Sequence, residues 1–197
     1  MLRATTDYQP QTEEQIQAVH IGGARPLPGG RIVLVEYDPA WPGLFEHEAA
    51  RVRSILGDTV RLLEHVGSTS IADLVAKPII DMLLVVPDSA DEAAYVPPLE
   101  RAGYVLRIRE PDWHQHRLLK GPDTDINLHV FSEGCPEIER MLAFRDWLRS
   151  NAQARELYAA TKRELAQRTW TYTQNYADAK TSVVEQIIDQ ARQDGTA

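Results

Sequence analysis

The chain has 197 residues, 43% of them hydrophobic and 25% charged, with a formal net charge of −8. That size supports one core without staples, and the acid excess argues against broad binding to nucleic-acid backbone. The single cysteine, Cys135, excludes an internal disulfide and a zinc cluster built on cysteines.

Residues 1–11 read as loose. A short helix follows, with Thr12 as cap, Gln15 closing a capping box, and Gly22-Gly23 as its stop. ARPLPGG is a linker by its proline and glycine content, so residues 1–30 form an arm and linker lying over the rest. RIVLVEY, residues 31–37, reads as the first strand. Leu44, Phe45, Ala49, Val52, Ile55 and Leu56 then recur at helical spacing up to Gly57. TVRLLEHVG is the second strand, STSIADLVAKP a connection, and IIDMLLVVP a continuous apolar strand buried on both faces. DEAAYVPPLERAG reads as a helix interrupted by proline. YVLRIRE, HQHRLLKG and DINLHVF are three more strands, the last two joined through the hairpin turn GPDTD. From CPEIERMLAFRDWLRSN onward the pattern is helical, through AQARELYAATKRELAQR and NYADAKTSVVEQIIDQARQ. This order predicts an α+β domain over residues 31–192, with a mixed sheet, C-terminal helices and a tail at 193–197. No apolar run approaches the roughly 20 residues of a membrane helix, and the start lacks a basic-then-apolar leader. The expected location is the cytoplasm, with no membrane partner.

Asp81 is the anomaly, a carboxylate inside an apolar strand, where burial is costly without a partner. Lys77 is one candidate partner, which makes the pair structural. The other reading places Asp81 at the mouth of the sheet, holding a divalent cation that neutralises phosphate. Gly67 ends the preceding strand and lets backbone approach a ligand. Ser68, Thr69 and Ser70 supply hydroxyls there, either as phosphate donors or as an ordinary polar turn with a helix cap. His65 alternates with Glu64 and Val66 and faces away from both. His116 and Arg117 alternate likewise, so only one of them faces the same mouth as His129. Arg117 suits phosphate by its fork geometry. Lys162 and Lys180 each follow a tyrosine (Tyr158, Tyr176) by one helical turn. They are either snorkelling lysines or a positive wall of the cleft.

A strand ending in Val66-Gly67-Ser68, then about a dozen residues, then Asp81 in a buried strand resembles the nucleotidyltransferase fold of DNA polymerase beta type. Position 83, where such enzymes carry a second carboxylate, is Leu83, and the later-strand position is His129, a softer donor than magnesium favours. The longer stretches VEYDPAWPGLFEHEAARV, EHVGSTSIADLVAKPIIDMLLVV, LHVF and LAFRDWLRSN with the helices after it are similar to the GrpB family. That resemblance runs from about Ile32 to Ala191. It implies a nucleotidyltransferase-like fold, found in some relatives fused to dephospho-coenzyme A kinase.

Together these readings set the expectations. Asp81 and Ser68 are the catalytic candidates, and Asp81 with His129 would hold Mg2+ or another divalent cation. Gly67, Ser68, Thr69, Ser70, Lys77, Arg117, Lys162 and Lys180 would bind the phosphate of a nucleotide or other small molecule. The function is then a metal-dependent nucleotidyltransferase or nucleotide-binding protein. The alternatives are a non-catalytic anion-binding module, since the second carboxylate is missing, or a metal-dependent phosphate-ester hydrolase.

Overall fold

A computed structural model describes residues 10–195. Residues 1–9, most of the expected loose start, and the last two residues of the tail lie outside the described residues. The chain runs through α1 (Glu13–Val19), α2 (Trp41–Leu56), β1 (Leu62–Val66), β2 (Ile80–Val86), α3 (Val96–Arg101), β3 (Val105–Glu110), β4 (His116–Lys120) and β5 (Ile126–Ser132). Four helices then close it: α4 (Pro136–Ser150), α5 (Ala152–Ala166), α6 (Thr173–Asp178) and α7 (Thr181–Gln193). The five strands form one sheet in the order β1-β2-β5-β4-β3. β2 and β5 run parallel, and the other neighbouring pairs are antiparallel. The α+β class with a mixed sheet and a C-terminal helical set is therefore as the sequence predicts.

Strand side chains alternate between two faces, and the two faces meet different helices. Leu63, Met82, Leu84, Val86, Leu128 and Val130 point to one side. There they pack with Trp41, Phe45, Ala49 and Val52 of α2 and Val96 and Leu99 of α3. Val66, Leu83, Val85 and Phe131 point to the other, against Ile138, Met141 and Leu142 of α4. This is why β2 reads as an unbroken apolar run: both its faces are covered. Behind α4, α5 and α7 pack through Trp147, Tyr158, Val183 and Ile187, together with Ile71, Leu74 and Val75 of the β1–β2 connection.

Three local expectations are corrected. Residues 31–37 are not a strand of the sheet; Val35 makes an isolated bridge to Ala76, and Val33 is 67% exposed. Their alternation has another cause, since Ile32 and Leu34 bury against the helical layer around Leu165 and Tyr176. The prolines Pro97 and Pro98 do not interrupt a helix. They open α3 after a separate 3-10 turn at Glu92–Ala94, where a missing N–H costs nothing. The last helical segment is two helices, α6 and α7, with Lys180 at the corner between them.

The described part of the N-terminal segment packs on the rest of the chain. Thr12 and Gln15 form both bonds of the capping box, at 3.3 and 2.8 Å. Ile16 is fully buried. Ile21 N–H donates to the Arg107 carbonyl at the outer edge of β3, so part of that sheet edge is covered.

Candidate functional site

Antiparallel pairing puts Val66 opposite Asp81, so the Gly-Ser step after β1 and the carboxylate opening β2 share one end of the sheet. Gly67 adopts φ 66°, a conformation costly for any other residue. A β-carbon there would stand 2.8 Å from the Asp81 Cβ. Glycine thus answers two demands at once, the left-handed turn and the close approach to Asp81.

Asp81 is partly exposed at that end of the sheet. No ion pair joins it to Lys77, so the structural pair considered from sequence is absent. Its Oδ1 accepts from Asn127 Nδ2 at 2.7 Å, across the parallel β2–β5 pair. Lys120 donates to the Asn127 Oδ1 at 2.9 Å, which fixes the amide with its NH2 toward Asp81. The His129 Nε2 stands 3.7 Å from Asp81 Oδ1. Burial disfavours the charged carboxylate, but the His129 ring, the Asn127 amide and the Lys77 charge outweigh it. The Asp81 carboxyl is held below its usual range.

His129 continues into a chain of contacts along the same face. Its Nδ1 lies 3.0 Å from His116 Nε2, and His116 Nδ1 lies 2.7 Å from Glu110 Oε2. The His116 ring stacks between neighbours, with centroids 5.2 Å from His129 and 4.8 Å from Phe131. Consecutive left-handed residues, His114 and Gln115 at φ 54° and 52°, turn the chain into β4 and leave Trp113 edge-on to His116. Burial pushes the His116 imidazole down to about 4, although Glu110 works the other way.

Three lysines lie near this end of the sheet. Lys162, only 2% exposed, donates to Ser68 Oγ at 3.0 Å and to the Val75 carbonyl. Its ammonium lies 4.8 Å from the Tyr158 ring centroid. Lys180 lies 4.6 Å from the Tyr176 ring and 6.0 Å from that of Tyr158, and Lys77 lies 5.9 Å from Tyr176. Burial first, with repulsion from Lys180 for Lys77 and Lys162, lowers all three: Lys162 to about 7, Lys77 and Lys180 to about 8. The Asp81 charge opposes that lowering in each case. The ring faces supply part of the stabilisation that water would otherwise give. The charge of one carboxylate, Asp81, thus acts on all three buried lysines.

The structure thus brings together Gly67, Ser68, Lys77, Asp81, His129, Lys162 and Lys180. It does not bring Arg117. That side chain alternates to the opposite face and donates to Glu92 Oε1 at 2.5 Å, beside Arg109, which grips the same carboxylate with two bonds of 2.6 Å. Thr69 and Ser70 lie at the turn but spend their hydroxyls on it. Thr69 Oγ1 donates to the Ile79 carbonyl and lies 3.0 Å from His65 Nε2, while Ser70 Oγ donates to the Gly67 carbonyl. Leu83 is fully buried in the α4 cluster, so a second carboxylate there would be an unpaired buried charge. Glu110 and Asn127 were missed from sequence. Asn127 had a signal, lying two positions before His129 on the same face of β5. Glu110 had none, because only the β3–β4 register, which pairs it with His116, connects it to the site.

Known proteins resemble this chain to different degrees. The GrpB protein family profile matches residues 31–190. A UPF0157 protein of Halalkalibacterium halodurans is 57% identical over 190 residues, 96% of this chain and 97% of that protein. The crystal structure of conserved protein GrpB from Enterococcus faecalis superposes with a TM-score of 0.73 at 33% identity, over 84% of this chain and 100% of that one. The Cid1 poly(U) polymerase, solved with MgGTP bound, gives a TM-score of 0.48 at 11% identity, over 68% of this chain and 44% of that one.

Proposed function

This chain belongs to the GrpB family, and we propose that it binds the phosphate groups of a nucleotide in the cleft between the β1–β2 end of the sheet and α5–α7. The observation that carries this is the grouping of the buried Lys77, Lys162 and Lys180 ammoniums around the Tyr158 and Tyr176 rings, with Lys162 bonded to Ser68 and the Asp81 charge acting on all three. Burying three like charges is unfavourable on its own. A bound polyanion reverses that penalty, because each ammonium gains a charge-assisted partner. Ser68 would donate its hydroxyl, and Gly67 leaves room for phosphate oxygen beside the turn. On this reading the site is a nucleotidyltransferase-like one reduced to a single strand carboxylate.

In enzymes of that kind, divalent cations offset phosphate charge during in-line displacement. The donors here fit magnesium poorly. One carboxylate faces an imidazole, magnesium prefers an all-oxygen octahedron, and no group of three or more His, Cys, Asp or Glu side chains able to hold a metal exists among the described residues. Phosphate charge in this cleft is met by the lysines, and the reading is a nucleotide-binding protein before it is a two-metal transferase.

Thermal shift and calorimetry with the four ribonucleoside triphosphates and pyrophosphate test this. A ligand at 100 times its Kd stabilises the folded state by about 2.7 kcal/mol. At least one nucleotide should raise the Tm of the wild type, and Lys162→Met with Lys180→Met should weaken its binding tenfold or more. Absence of any shift across the panel would remove the reading.

A further inference from the structure

Three hydroxyls crowd the turn after β1, and two of them are committed to backbone. Thr69 Oγ1 donates to the Ile79 carbonyl, and Ser70 Oγ donates to the Gly67 carbonyl. Ser68 Oγ instead meets an amine, Lys162 Nζ, at 3.0 Å. The serine is half-buried at the end of the sheet, while the lysine behind it is 2% exposed. The lysine is itself oriented, because it also donates to the Val75 carbonyl and lies 4.8 Å from the Tyr158 ring centroid. Tyr158 shares a side-chain hydrogen bond with Ser68. A reachable hydroxyl, an amine within hydrogen-bond distance and further groups that fix the amine form the pattern of an activated nucleophile. Burial supports it, since it lowers Lys162 to about 7, and a lysine so shifted supplies a neutral amine at mild pH. When charged, Lys162 donates to Ser68 and leaves the hydroxyl proton for a ligand. When neutral, its lone pair accepts that proton's hydrogen bond.

We propose that Ser68 is a covalent nucleophile toward phosphorus, with Lys162 as its general base, and that it accepts the terminal phosphoryl group of a phosphoanhydride held in the cleft. This rests on the reading of the cleft as a phosphate site. The Ser68 O–H bond breaks, and its proton goes to Lys162 Nζ. The Oγ–P bond forms as the bond from phosphorus to the bridging oxygen breaks. The leaving group, a nucleoside diphosphate from a triphosphate or phosphate from pyrophosphate, keeps that electron pair. Lys162 thereby becomes an ammonium while the transferring group spreads its charge over three non-bridging oxygens. The Val75 carbonyl, the Tyr158 face and the Asp81 charge stabilise the new cation.

The test uses the full chain and a probe that needs no nucleotide. Diisopropyl fluorophosphate should add to Ser68 with loss of fluoride, located by peptide mass spectrometry, and Ser68→Ala should lose that adduct. Lys162→Met, checked for folding by its Tm, should slow labelling at least about 100-fold, the lower end of general-base effects. The wild-type pH profile is a readout independent of that variant. Labelling should rise about tenfold from pH 6 to 8 as Lys162 loses its proton, which Lys180 and Arg163 drive off and Asp81 retains. Incubation with pyrophosphate and the four ribonucleoside triphosphates should leave phosphate on Ser68. No adduct at Ser68, an unchanged rate in a folded Lys162→Met, or a flat pH profile would each overturn the nucleophile. Phosphate ligands that raise the Tm but never modify Ser68 would overturn the transfer and leave the binding reading standing. Labelling by the fluorophosphate with no Tm shift from any phosphate would keep the Ser68 nucleophile and remove the cleft reading together with its phosphoanhydride.

Discussion

The Lys162 ammonium donates to Ser68 Oγ over 3.0 Å although 94 positions separate the two residues. That bond ties α5 to the turn after β1 and sets one wall of the cleft against its floor. Each prediction below perturbs one part of that arrangement.

Gly67→Ala should destabilise the fold by at least about 2 kcal/mol. Alanine in a left-handed conformation costs about 1–2 kcal/mol, and its β-carbon would meet the Asp81 Cβ at 2.8 Å. Urea unfolding of the variant against wild type measures this. Gly43→Ala, where an added β-carbon meets nothing within 4 Å, serves as the matched control. A Gly67 loss under 0.5 kcal/mol would contradict the close approach.

Asp81→Asn should leave the ligand-free protein within about 1 kcal/mol of wild type, because no buried ion pair is broken and the new amide oxygen can still accept from Asn127. A structural Lys77–Asp81 pair would instead have cost about 3–5 kcal/mol. Removing the carboxylate's charge also removes repulsion toward an anion. Pyrophosphate affinity measured in chelator should therefore rise severalfold, while any dependence of nucleotide binding on divalent cation disappears. An anion affinity that falls in chelator would show that Asp81 is not part of the cleft's charge balance.

The lysines predict a pH dependence whose sign follows from linkage. Their folded values, about 7 for Lys162 and about 8 for Lys77 and Lys180, lie below the ordinary 10.5. Between these limits the unfolded chain binds more protons, so their contribution makes stability rise with pH from about 7 to 10. Below pH 7 both states are protonated and the full burial penalty is present. Anion binding runs oppositely, since it needs the protonated ammonium. Nucleotide affinity should fall between pH 7 and 9, with proton uptake visible as a buffer-dependent heat. Lys162→Met should have a Tm no lower than wild type at pH 6.5 while binding anions worse. Nucleotide binding that strengthens toward pH 9 would reject the assignment.

Arg117→Met separates stability from binding. The guanidinium and Glu92 lie on the far face of the sheet, and losing a charge-assisted hydrogen bond costs about 1.5–3 kcal/mol. Denaturation should show a loss in that range, with nucleotide affinity unchanged within twofold. A tenfold loss of affinity at unchanged stability would return Arg117 to the cleft.

Much of this was legible in the sequence for identifiable reasons. Asp81 stood out because an ionisable group in a continuous apolar strand requires an explanation, and Gly67 followed from the strand end before it. His116 against Arg117 could be reduced to an either-or by alternation, but only the register of β4 against β5 decides it. Residues 31–37 were misread because inward-facing Ile32 and Leu34 alternate identically whether the partner is a strand or a helical layer. Thr69 was ambiguous for a related reason. A hydroxyl in a polar turn looks the same before one knows that His65 and the Ile79 carbonyl claim it.

The parallel pairing of β2 with β5 carries a kinetic consequence. Asp81 and Asn127, neighbours in that pair, are 46 positions apart, and β3 and β4 must be laid down between them. Contacts closed over such long loops form late, because loop entropy is lost before pairing compensates for it. Ser68 meets Lys162 only after α5 docks. A nascent chain interrupted before α5 therefore has the sheet's sequence but not the binding site, and ligand added during refolding should accelerate no early phase. It should act only by slowing unfolding, as expected for interactions absent from the transition state.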